Sequence, residues 1–152
     1  MTDDTTALQN VITAAAAAGH VVFVDAGTYK VAKTILVPKG SKIVGESYSV
    51  ILSSGSYFSN INSPQTVVQV GNAGDAGIVE WSDMIVSTQG AQAGAILIKW
   101  NLASTPSSPS GMWEVHTRIG GFVGSNLQKA QCAASAASTT INNNCLAAYM
   151  SM

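Results

Sequence analysis

A strand-like segment recurs in this chain at an interval of 34 or 35 residues, and that interval constrains the fold more than any other feature. Shifted by 34 residues, "GIVEWSDMIVS" (77–87) falls on "GMWEVHTRIGG" (111–121). Gly77 then lands on Gly111, Val79 on Trp113, Glu80 on Glu114, Trp81 on Val115 and Ile85 on Ile119. Moving back 35 residues from Ile78 reaches Ile43 in "KIVGE", which continues the same apolar–polar alternation. A unit of this length cannot bury its apolar face alone, and stacking successive units gives a continuous core. The interval therefore predicts an all-β solenoid, a parallel β-helix.

The rest of the chain agrees with that expectation. Thr2, Asp3 and Asp4 offer cap oxygens and negative charge, and Leu8, Val11, Ile12 and Ala15 follow at helical spacing up to a stop at Gly19. This predicts one amphipathic helix, suited to cover the first coil. Beyond it the period is that of strands, at 21–25, 28–38, 41–46, 49–54, 66–71, 77–88, 94–100 and 111–122, separated by Gly, Pro, Asn and Ser. The loops "SSGSYFSN" (53–60) and "ASTPSSPSG" (103–111) are expected to shape binding faces, with Tyr57 or Phe58 able to reach a ligand.

Composition excludes several classes of partner. Seven Lys/Arg against eight Asp/Glu give a net charge of −1, with no basic stripe to follow a phosphate backbone, so no nucleic-acid partner is expected. No apolar run approaches the length of a membrane span, Ala14–Ala18 included, so no membrane partner is expected either. Only 10% of the residues are charged, and a surface of Ser, Thr, Asn, Gln and Gly suits an extracellular protein, although no signal peptide precedes "TDDTTALQN". Cys132 and Cys145, 13 positions apart, are either two buried thiols or a disulfide, which the extracellular setting favours. They are too few for a metal site, and no cofactor is expected.

Glu80 and Glu114 stand out among the eight carboxylates. The repeat would stack them on adjacent coils about 4.8 Å apart, where mutual repulsion raises one pKa. In an extended strand Glu114, His116 and Arg118 point to one side, and Trp113, Val115, Thr117 and Ile119 to the other. The second set is expected in the core, together with Trp81. The first is a polar outer stripe: His116 beside a carboxylate suits a proton shuttle and Arg118 a clamp on a substrate hydroxyl, while a scaffold or interdomain surface is the plainer reading.

Two stretches carry a family resemblance. "DDTTALQNVITAAAAAGHVVFVDAGTYKV" (3–31) resembles the opening of pectate-lyase-like right-handed β-helices, a pattern shared by lyases, glycosidases and phage tailspikes. "VVQVGNAGDAGIVEWSDMIVSTQGAQAGAILIKWN" (67–101), with "PSGMWEVHTRIGG" (109–121) and "CLAAYMSM" (145–152), resembles fungal glycoside hydrolase family 55, exo-acting glucan 1,3-β-glucosidases with two β-helices side by side.

The resemblance implies a truncated right-handed parallel β-helix, the start of the second of the two, with an N-terminal capping helix. It would be one partial domain over 1–152: capping helix 1–19, first coils 20–122, disulfide-containing loop and next coil 123–152. It implies part of a secreted enzyme that hydrolyses β-1,3-glucan with inversion. The family's acid glutamate would fall after Met152, so no catalytic residue can be assigned here and the chain alone is expected to be inactive. Glu80, Glu114, His116 and Arg118 are the candidate substrate contacts. Expected partners are β-1,3-glucan and either the remainder of the enzyme or a second copy at the open solenoid end, unless the tail from Cys132 onward folds over that end. The alternatives are a non-catalytic structural or glucan-binding module and a piece of a tailspike-like depolymerase.

Overall fold

The computed structural model describes residues 2–107, 109–133 and 141–152. One helix, α1 (Thr5–Ala18), is followed by eight strands: β1 (Val21–Val24), β2 (Gly27–Val31), β3 (Ile35–Val37), β4 (Lys42–Ser53), β5 (Gln65–Val70), β6 (Glu80–Thr88), β7 (Ala95–Trp100) and β8 (Gly111–Thr117). Strands β1, β4, β6 and β8 lie in that order in one sheet with β2 also beside β4, and β3, β5 and β7 form a second. All of these pairings are parallel. From β3 onward the chain alternates between the sheets, each return lying beside the strand laid down one circuit earlier.

This winding builds the core from rows of like residues. Val22, Ile43, Trp81 and Met112 align across the first sheet, and Ile35, Val68 and Ile98 across the second. All are buried except Met112, which packs against the cluster. Apolar side chains repeat at one register position, so each strand finds a matching surface on the strand before it. Residues 28–38, which read as one strand, divide between β2 and β3 because the pairing partner changes from β4 to β5. Residues 41–46 and 49–54 instead belong to one bent strand, β4, with the Ser49 hydroxyl donating to the Val24 carbonyl at 2.6 Å.

A parallel sheet needs its first edge protected, and α1 supplies this with polar side chains as well as apolar ones. Leu8 and Ile12 are buried, whereas Val11, expected on the same face, is 54% exposed. The Gln9 side-chain amide pairs with both backbone groups of Leu36 on edge strand β3: Nε2 donates to the carbonyl at 2.8 Å and Oε1 accepts the N–H at 2.7 Å. Asp4 accepts the Lys30 N–H and Thr5 Oγ1 the Ala32 N–H. Asp3, rather than Asp4, caps the helix start, accepting from both the N–H and the hydroxyl of Thr5. Gly19 ends the helix in the left-handed conformation at φ +70°.

At the other end the tail runs along β7. Met150 bridges Ile96 in parallel, and the Leu97 and Ile98 N–H groups donate to the carbonyls of Met150 and Ser151. Cys132 and Cys145 are joined by a disulfide, with Cα atoms 5.8 Å apart. Among the described residues no helix is long and apolar enough to cross a membrane.

Two predictions follow from the helix contacts. Gln9→Ala strips both partners from Leu36 and should cost about 1–3 kcal/mol in urea unfolding; a change within error would mean that water replaces the amide without loss. The hydrogen bonds from Thr5 hold the Asp3 carboxyl below its ordinary value of about 3.9. The stability this carboxylate contributes is present above that value and fades as pH falls through the lower folded-state one. Thermal melts of Asp3→Asn should therefore show a shallower loss below about pH 4 than the parent, and parallel curves would remove Asp3 from the acid response.

Candidate functional site

The outer face of the first sheet carries the residues that sequence patterning singled out, and a bend in three strands decides which of them face outward. Ser47, Asp83 and Glu114 have φ of 61°, 57° and 52°, in the left-handed region. Asp83 and Glu114 occupy matching positions, between the aligned pairs Ser82↔Trp113 and Met84↔Val115. At such a bend two consecutive residues point outward, which breaks the period of two. Trp81 and Met84 face in, while Ser82 and Asp83 face out. On β8, Met112 and Val115 pack against the core, whereas Trp113 and Glu114 are exposed.

Two expectations are corrected as a result. The 34-residue shift does not give the register: Glu80 pairs with Gly111 and Trp81 with Met112, 31 positions on, and Ile43 pairs with Trp81 rather than with Ile78. The recurring segments do lie side by side, but corners of unequal length change the offset from one circuit to the next. Glu80 and Glu114 therefore do not stack, and the mutual repulsion expected of them has no basis. Trp113, expected in the core beside Val115, is 53% exposed, and Ile119 is exposed as well. Trp81 is fully buried, as expected.

Glu114, His116 and Arg118 all lie on the surface. His116 Nε2 stands 3.3 Å from Glu114 Oε2, an ion pair when the imidazole is protonated. Both side chains are largely in water, so the pair contributes little to stability. Of the remaining carboxylates, Asp75 accepts the Asn72 N–H in a turn and Glu46 the Ala26 N–H. Phe58 is fully buried rather than available to a ligand, and Tyr57 lies under the Lys33 ammonium, 4.2 Å from the ring centre. No cluster of three metal-ligating side chains occurs among the described residues.

Glu80 sits in a different setting from Glu114. It lies opposite Lys42 on the neighbouring strand, and both line an outer hollow of about 120 Å³ with Val21, Val44, Ser82 and Trp113. Sequence reasoning placed Trp113 in the core because nothing in "GMWEVHT" marks Glu114 as the left-handed residue. A second hollow, of about 250 Å³ and mostly apolar, lies between α1 and β1 with Asp4, Asp25 and Tyr29 at its rim. The Tyr29 hydroxyl donates to the Asp25 carbonyl at 3.0 Å. Burial, then the nearby Asp25, Asp4 and Glu46 carboxylates, push its pKa up.

Comparison with known proteins decides the family. A family model described as rhamnogalacturonase A/epimerase, pectate lyase-like, matches residues 1–108. The chain belongs to this pectate lyase-like family. Among curated relatives, a glucan 1,3-beta-glucosidase of Cochliobolus carbonum is 52% identical over 134 residues, 88% of this chain and 17% of that protein. A probable glucan endo-1,3-beta-glucosidase of Arthroderma benhamiae is 43% identical over 98% of this chain and 17% of the relative. A non-secreted LysM effector, LysM19, of Penicillium expansum is 41% identical over the whole chain, 12% of the relative. The chain thus spans about a sixth or less of these relatives. The resemblance read from residues 67–101 and 109–121 is borne out by two of these relatives, one named a glucan 1,3-beta-glucosidase and the other a probable glucan endo-1,3-beta-glucosidase.

The left-handed conformation costs a residue with a Cβ about 1–2 kcal/mol, part of which glycine returns as chain entropy. Glu114→Gly should therefore stabilise the fold by about 0.5–1 kcal/mol, and Glu114→Val should destabilise it. Equal melting temperatures for the two variants would contradict a left-handed bend at this position.

Proposed function

We propose that this chain is part of a right-handed parallel β-helix that acts on β-1,3-glucan, and that it belongs to a secreted, inverting exo-β-1,3-glucanase. The observation that carries the reading is the 52% identity to a glucan 1,3-beta-glucosidase over 88% of the chain. The alternation of parallel strands between two sheets supports the β-helix, with 1–19 as the cap, 20–122 as the first coils and 123–152 as the disulfide-containing loop and next coil. Residues 134–140 of that last stretch lie outside the described residues.

Inverting hydrolysis needs an acid and a base on opposite sides of the bond, about 6.5–9.5 Å apart. In this reading the outer face contributes binding, through Glu80, Glu114, His116 and Arg118, and the relatives' additional length supplies the acid. The outer edge of β8, which no strand covers among the described residues, is where the remainder of such an enzyme or a second copy would pair. The disulfide supports secretion, since cytosolic thiols are kept reduced.

The alternative reading is a non-catalytic structural or glucan-binding module. The relative that matches the whole chain at 41% identity is named a non-secreted LysM effector, a name that runs against secretion. The identity to glucan glucosidases favours both over a tailspike-like depolymerase.

The test is laminarin hydrolysis, followed as glucose release, with laminarin binding and size-exclusion chromatography on the same sample. Binding without glucose release is the expected outcome. Glucose released by the chain alone would return Glu80 and Glu114 to consideration as acid and base, longer oligosaccharide products would overturn exo action, and no binding would overturn the glucan reading. A free-thiol count of two on protein recovered from its native compartment would overturn secretion.

A further inference from the structure

The outer hollow on β1, β4, β6 and β8 has the parts of a sugar subsite, and they are placed by backbone register rather than by loops. Two rows of outward residues cross these four strands: Val21, Lys42, Glu80 and Gly111, and beside them Phe23, Val44, Ser82 and Trp113. A β-carbon at Gly111 would lie 3.2 Å from the six-membered ring of the Trp113 indole. The indole therefore leans back over its own strand and covers the position that Gly111 leaves bare. That brings the ring alongside Glu80, the in-register neighbour of Gly111. A β-carbon at Gly111 would push the indole outward by a few tenths of an ångström, while the Gly111 backbone lies outside the left-handed region.

The result is a half-exposed aromatic wall, a carboxylate, an ammonium and a hydroxyl around a space of about 120 Å³. That space is smaller than the roughly 150 Å³ cavity that encloses benzene, so it would receive one face of a sugar ring rather than enclose it. Lys42 and Glu80 face each other across adjacent strands, yet no ion pair closes between them among the described residues, so both heads can turn to a ligand. Opposite charges side by side cancel at a distance and suit a neutral polyol better than an anion or a cation. A β-linked glucopyranose matches these groups: its equatorial hydroxyls leave two flat C–H faces for the indole and a rim of hydroxyls for Lys42, Glu80 and Ser82. Phe23, 61% exposed, stands three strands away, about 14 Å along the stack, in line for a later unit of the same chain.

We propose that this hollow is a glucosyl-binding subsite, with the sugar stacked on Trp113 and its hydroxyls held by Lys42 and Glu80, and with Gly111 as the positioning residue that lets the indole lie flat. The subsite rests on the β-1,3-glucan reading of the chain and adds to it the surface on which the glucan lies.

The experiment is calorimetric titration with laminarihexaose, alongside iodide quenching of tryptophan fluorescence. Trp81 is buried and Trp100 half-buried, so Trp113 is the indole most open to iodide, and bound sugar should protect it. Trp113→Ala should weaken binding about tenfold, Trp113→Phe should restore most of it, and Gly111→Ala should weaken it severalfold with the indole still present. Lys42→Met reports on the hydroxyl contacts without touching the aromatic wall, and should also weaken binding severalfold. Val123→Ala, at an exposed position that does not line the hollow, should leave affinity unchanged. If Trp113→Ala binds within twofold of the parent while the parent binds tightly, the subsite is wrong and the glucan reading survives. If the parent binds no laminarihexaose, both fall. A change in oligomeric state on Trp113→Ala with unchanged glucan affinity would assign the hollow to a second protein surface and overturn the proposal.

Discussion

The bend at Ser47, Asp83 and Glu114 is the constraint on which the outer face depends. Three residues in the left-handed region turn β4, β6 and β8 at one place, and the turn sets which side chains enter the core. It also fixes a contact that tolerates no side chain: a β-carbon at Gly45 would lie 2.3 Å from the Asp83 carbonyl oxygen. One strand's backbone thus rests directly on the next at the corner. Because two residues face outward at the bends of β6 and β8, Trp113 and Glu114 are both exposed while Met112 and Val115 pack inward; β4 carries a longer bulge there, with residues 45–48 opposite Asp83 alone. A regular alternation would have buried the indole and left the outer hollow without its aromatic wall.

The interior and the first edge follow different rules. Inside, stacked rows of Val, Ile, Trp and Met satisfy one another by shape, and their burial drives folding. At the edge the problem is electrostatic, because unpaired N–H and C=O groups of a first strand cost free energy unless they are matched. The helix meets both requirements at once. Leu8 and Ile12 cover the end of the core, and Gln9, Asp4 and Thr5 match backbone groups of β3 and β2. An amphipathic helix with only an apolar face would have covered the core and left the edge open.

The outer face carries two separate groups of charged side chains. Glu114 and His116 pair in water, Glu80 stands opposite Lys42, and the bend separates the two groups into different surroundings. In the proposed function these groups would hold hydroxyls and order a glucan along the stack. The relatives at 52% and 43% identity are glucan glucosidases by name and are several times longer than this stretch, which accords with a surface that contributes contacts to a larger assembly of strands.

Much of this protein was legible in the residues themselves. The change from helical to strand period after Gly19, the short strands between Gly, Pro and Asn clusters, and the recurrence of one segment follow from local patterning, because inward aliphatics must repeat wherever parallel strands stack. The family resemblance in residues 67–101 and 109–121 was legible for the same reason. Register was not. A repeat interval averages over corners of different length, so it aligned Glu80 with Glu114 where the backbone pairs Glu80 with Gly111. Nor could the sequence show that a glutamate, which rarely adopts a left-handed conformation, does so at position 114. Asp83, at the matching position on the neighbouring strand, adopts the same conformation. The outward face of Trp113 was therefore decided by the stacking of neighbouring strands, a long-range contact with no local signature.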